Sequence, residues 1–182
     1  LQAFLGRWRE FEPDAVATLS APSFDGLRDR LLQNPLMATL CLLIAAEKRT
    51  IPADRSQVFT EVIELMFEGW RRSRPTPPAI EWHRIRGALG ELALRSLREN
   101  EGVAAVDVRN AIRGSIGGAV LPGASEALNE LGLLVPRSNG RYDFVLRSFA
   151  EYLAAEYLLE TSSDPVLFAA EGWSEEIARH AI

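Results

Sequence analysis

The run LMATLCLLIAA, Leu36–Ala46, places the strongest constraint on how this chain can fold. A helix built from it is apolar nearly all round. It has no polar face to turn to water, so it is expected at the centre of a core, surrounded by other helices. Eleven residues that include Thr39 are too few to cross a bilayer. The start of the helix is marked by Asn34 at the N-cap and Pro35 at the first helical position. Proline suits that place because its φ is fixed and no N–H donor is needed there.

Helical spacing dominates the neighbouring segments. Leu1, Phe4, Leu5 and Trp8 share one face of a short amphipathic helix, and residues 12–22 read as a connector with some helical character. Ser23 is placed to cap a segment with Phe24, Leu27, Leu31 and Leu32 inward. After the break TIPADRS, the segment from Gln57 to Arg72 carries a stripe of Val58, Phe59, Val62, Leu65, Met66 and Trp70. Pro75, Pro77 and Pro78 then mark a subdomain boundary. Beyond it, helices are expected over 82–100, 106–116 and 123–132.

Residues 133–145 follow as a hairpin, with Asn139 and Gly140 supplying the positive φ values of a tight turn. From Arg141 to Leu159 the pattern changes without a Pro or Gly. Tyr142, Phe144 and Leu146 alternate as in a half-buried strand. Phe149, Leu153, Ala154, Tyr157 and Leu158 then fall on one helical face. Three helices and a hairpin are the order of a winged helix. The fold class expected is therefore mainly α: a first helical domain over 1–74, a winged-helix domain over 79–160 with one short hairpin, and the start of a second helical region over 161–182.

The chemistry expected of the chain itself is sparse. Cys41 is the one cysteine. It cannot form an internal disulfide, which points to a reducing, cytoplasmic compartment, and it reads as a small buried hydrophobe rather than a nucleophile. Gly114–Val120 is glycine-rich but lacks the Lys-Ser/Thr of a phosphate loop. His83 and His180 stand alone, without metal-ligand spacing. Glu175 and Glu176 point to different sides of a helix. Ser115, Ser125 and Ser148 have no evident His or Asp partners. No catalytic residue, metal ligand or membrane segment is expected, and no signal peptide is visible. The chain opens on Leu and reads as part of something longer.

A winged helix raises the possibility of a DNA-binding transcriptional regulator, and Arg137 and Arg141 on the wing would suit one. The third helix, which would enter the groove, holds Glu126 and Glu130 and no cation. Residues 79–160 carry nine Arg against eleven acidic side chains. Counterion release needs clustered cations, so the charge argues against DNA as a partner.

The stretch GLLVPRSNGRYDFVLRSFAEYLAAEYLL, Gly132–Leu159, resembles the end of the winged-helix part of NACHT-type STAND NTPases, a class of signalling switch. That family's pattern is a Gly-Leu-Leu strand, a turn, an aromatic-x-Phe strand, a His two residues on, and then Phe-Gln-Glu-Tyr-Leu-Ala-Ala. Phe149, Glu151, Tyr152, Leu153, Ala154 and Ala155 match it. Ala150 stands in the Gln place and Leu146 in the His place. Leu31–Trp70 resembles the family's first helical domain, with its Asn-Pro-Leu segment, and GWSEEI (172–177) resembles the element that opens its next helical region.

The resemblance implies a regulatory arm with no activity of its own. An ATP- or GTP-hydrolysing domain would precede Leu1 and bind ATP or ADP with Mg. The arm would close over that nucleotide and move as a body on activation, in defence or other signal transduction. Its partners would be the NTPase domain, a C-terminal sensor region and further copies on oligomerisation. The same resemblance implies that Asn34 and Pro35 lie near the nucleotide base. It places Leu146, the substituted sensor-His position, and Arg147 near the phosphates. Phe149 and Tyr152 would fix the junction between wing and helix. Leu146 cannot donate a hydrogen bond, so this chain departs from the family at its phosphate sensor.

Overall fold

A computed structural model describes residues 2–21, 31–73, 82–99, 102–115 and 130–161. Among these, the chain is mainly helical with one small antiparallel sheet. It packs as two compact units, residues 1–65 and 66–182. The proline-rich stretch and the segments around Ser23, 116–129 and 162–182 lie outside the described residues.

In the first unit, α1 (Gln2–Trp8) and α2 (Pro13–Ser20) precede α3 (Pro35–Lys48), and α4 (Arg55–Arg72) begins. Residues 13–20 are a true helix rather than a connector. Pro13 sits in its first turn, and Ala15, Val16 and Leu19 are buried. Helix α3 is the centre of this unit, with Met37, Ala38, Leu40, Cys41, Leu42, Ile44 and Ala45 buried. Its enclosure is incomplete, because Leu43 and Ala46 are exposed. Asn34 caps it as expected: its side chain accepts a hydrogen bond from the Leu36 N–H at 2.9 Å. At the other end Arg49 takes a left-handed conformation, φ 55°, where glycine is the usual residue.

Helix α4 starts two residues before Gln57. The Gln57 N–H donates to the Asp54 carboxylate at 2.8 Å, and the Gln57 side chain accepts from the Ala53 N–H at 2.8 Å. That reciprocal cap satisfies two amides at the helix start. The buried stripe of α4 runs through Val58, Phe59, Val62, Ile63, Phe67 and Trp70, with Leu65 and Met66 only half-buried. Lys48, the one lysine in the sequence, pairs with Glu61 at 3.4 Å.

In the second unit, α5 (Trp82–Glu99) is followed by β1 (Val103–Ala104), α6 (Ala105–Ser115), β2 (Leu134–Pro136), β3 (Arg141–Phe144) and α7 (Arg147–Thr161). The sheet order is β1-β3-β2, so the second hairpin strand is central. Val103 faces Tyr142, and Leu134 faces Phe144. Strand β1 adds to the expected hairpin. Two residues cannot show an alternation, and β1 is a strand only because β3 supplies its partner. Among the turn residues Gly140 alone has positive φ, 74°, and Asn139 does not. The Gly140 N–H donates to the Arg137 carbonyl at 3.2 Å, and the Arg137 N–H to the Arg141 carbonyl at 2.7 Å. This is a type I turn closed by a glycine bulge rather than a two-residue turn.

Helices α5 and α7 form the main packing of this unit. Ile85, Ala88, Leu89, Leu92 and Ala93 of α5 are buried, at the spacing of one helical face. Phe149 to Ala155 of α7 are buried without interruption. The two backbones approach closely at Gly90. A Cβ there would lie 2.5 Å from Tyr157 Cβ and 2.9 Å from the Leu153 carbonyl oxygen. Arg86 ties the same helices by pairing with Glu156 at 3.2 Å and with Glu160.

Gly90 and Gly87 lie one turn apart on α5 and are expected to respond to alanine with opposite signs. Gly87 has nothing within 4 Å of its would-be Cβ. Gly87→Ala should gain roughly 0.5–1 kcal/mol from helix propensity alone. Gly90→Ala should lose about 1–3 kcal/mol to overpacking against backbone, outweighing that gain. Chemical denaturation of the two variants reads the difference directly. Equal stabilisation would mean the helices do not approach at Gly90.

Candidate functional site

The residues implied as nucleotide contacts divide between the two units. In the first, Asn34 and Pro35 are exposed at the start of α3. The Asn34 side chain is engaged in the cap, and the Pro35 carbonyl accepts from the Thr39 hydroxyl at 2.9 Å. The local geometry thus accounts for both residues as a helix start and leaves the Pro35 ring open to solvent.

In the second unit, Leu146, Arg147, Phe149 and Tyr152 come together where the hairpin meets α7. Only Val145 and Leu146 separate β3 from the helix. The Val145 N–H still donates to the Leu133 carbonyl at 2.9 Å, extending the hairpin by one bond. The Leu146 carbonyl then accepts from the Phe149 N–H at 3.0 Å and the Ala150 N–H at 3.4 Å. Backbone pairing thus passes from sheet to helix without a loop, and no Gly or Pro is needed. Leu146 occupies the N-cap place of α7, half-buried, with no side-chain acceptor to offer the first turn.

Below the junction, Phe149 is 2% exposed and Tyr152 1%. Between them Glu151 is buried, the one charged residue in the core of the described residues. The Arg147 Nε–H donates to the Glu151 carboxylate at 3.0 Å, while the Arg147 side chain remains largely in solvent. A carboxylate removed from water needs such a partner, and its spacing was hidden in sequence as one more exposed-looking Arg/Glu pair. Arg147 therefore has a structural task before any ligand is considered.

The arginines of the hairpin are engaged in the same way. Arg141 donates to Glu99 at 2.7 Å and to the Gly102 carbonyl at 2.7 Å, which ties β3 to the end of α5. Arg137 pairs with Asp143 across the hairpin. Arg137, Asp143, Arg147, Ser96 and Gly102 line a cleft of about 160 Å3 beside the junction. Two guanidinium groups and one carboxylate border it, and Glu151 offsets the second guanidinium. The local charge is close to balanced.

Other candidates are placed as follows. Cys41 is fully buried in α3, and burial pushes its thiol up to about 11. His83 is exposed on the first turn of α5. Ser148 lies in the first turn of α7. His180, Ser125, Glu175, Glu176 and the GWSEEI element lie outside the described residues. Among the described residues, no three His, Cys, Asp or Glu side chains are grouped to hold a metal ion, and no helix is long and apolar enough to cross a membrane.

Two outcomes are expected from this geometry. Phe149→Ala and Tyr152→Ala should each cost about 3–5 kcal/mol, the usual loss for truncating a buried aromatic. Unchanged melting temperatures would show that this face of α7 is a surface. Cys41 should resist thiol reagents at pH 8 in the native protein and react fully in denaturant, because the thiolate is the reactive form. Its native state holds the proton more tightly than the unfolded chain. Stability should therefore fall as pH rises from the ordinary value of 9.0 towards about 11. Cys41→Ala should lose that alkaline slope in urea titrations.

Comparison with family models, curated proteins and solved structures finds no match to this chain. What it does has to be inferred from its own residues and geometry.

Proposed function

We propose that the chain is the regulatory arm of a nucleotide-dependent signalling switch of the NACHT-type STAND class. The second unit would be its winged helix. The observation that carries this reading is the junction of β3 with α7. A strand passes into a helix through two residues, and the helix is buried on all sides directly afterwards. Such a junction cannot flex independently of the helix, so a contact made at Leu146 or Arg147 is transmitted to the body of the unit. A switch needs that property if differential contacts with two nucleotides are to shift a two-state equilibrium. The order of helix, short strand, helix and hairpin, with β3 central, supports the winged-helix assignment. The family motif residues Phe149, Tyr152, Leu153, Ala154 and Ala155 are all buried, which suits a structural role for that motif.

Under this reading the chain provides neither a phosphate cradle nor an active site. ATP or ADP, with Mg, would be held by an NTPase domain encoded before Leu1. Signalling would run through that domain, a C-terminal sensor region and oligomerisation, in a cytoplasmic protein. The DNA-binding alternative is disfavoured by the wing. Its two arginines are already paired with carboxylates, and freeing them to bind phosphate would break those contacts.

Position 146 tests the proposal. A His there would give the resting state a hydrogen bond to phosphate. A hydrogen bond to a charged group contributes about 1.5–3 kcal/mol, which shifts a two-state equilibrium about ten- to a hundredfold. Leu146→His in the full-length protein should tighten ADP binding by that factor and lower spontaneous activity. An unchanged ADP affinity in a folded variant would mean position 146 does not face the phosphates. The 182-residue chain alone should show no micromolar ATP binding by calorimetry. A coding sequence upstream of Leu1 without a glycine-rich phosphate loop would sink the proposal. Salt-dependent DNA retardation by the chain would favour the alternative.

A further inference from the structure

We draw no further inference here: the strongest candidate, the cleft of about 480 Å3 between α5 and α6 floored by Ala88, Leu92 and Ala111, has a rim whose Arg95 is already paired with Glu91 and Asp107, and nothing in the structure shows what covers it.

Discussion

The close approach of α5 and α7 at Gly90 is the contact on which the second unit depends. With only a hydrogen in place of a side chain, α5 can rest against the Leu153 carbonyl and the base of Tyr157. The small residues Ala150, Ala154 and Ala155 continue the same economy of space along α7. Close-packed interiors tolerate neither voids nor extra methyl groups, so this spacing sets how closely α7 lies on α5. The hairpin leads into α7 through two residues and is tied to that packing. Arg86, reaching from α5 to Glu156 and Glu160, sits at the solvent edge of the same contact, where ion pairs contribute little compared with the packing beneath them.

Several elements were legible in the sequence because their signals are local. Asn34-Pro35 marks a helix start through one side chain and one fixed dihedral, and the observed cap follows directly. The 3.6-residue spacing of α5 needs no knowledge of its neighbours. Other features depended on partners. Strand β1 is two residues long and exists through β3. In α4, Ile63 and Phe67 take buried places that helical spacing alone assigned to Leu65 and Met66, because a stripe one position round the helix is nearly as apolar. The turn at Gly140 was recognisable from its dipeptide, but its type was set by the register of β2 and β3, which the dipeptide does not encode.

The candidate site was legible in part, and for a similar reason. Phe149 and Tyr152 stand out as aromatic residues in an alanine-rich helix, and burial follows from their size. Glu151, between them, carried no such signal. Acidic residues in helices are usually solvated, and only the surrounding elements reveal that this one is not. The role of Arg147 changes with it. In sequence it is a lone cation next to Leu146. In the structure its Nε–H is committed to a buried carboxylate. Arg137 and Arg141 follow the same logic, each recognisable as a hairpin cation and each held by a carboxylate that sequence spacing did not connect to it.

These pairings bear on how a junction of this kind could act. Removing the cation from the buried Glu151 leaves a charge poorly solvated, so Arg147 cannot be recruited to a ligand at no cost, and Arg141 would give up its bond to the Gly102 carbonyl. An anion at the cleft would have to compete with Glu151 and Asp143, or be bound by the guanidinium edges those carboxylates leave open. A neutral Leu at position 146 adds no donor to that competition. On electrostatic grounds, therefore, the junction is suited to hold the hairpin in place more than to attract phosphate. If the proposed switch is kept closed by nucleotide, most of the attraction must come from outside this chain. The chain's own contribution is then mechanical: a hairpin joined to α7 by two residues, and an α7 packed closely on α5.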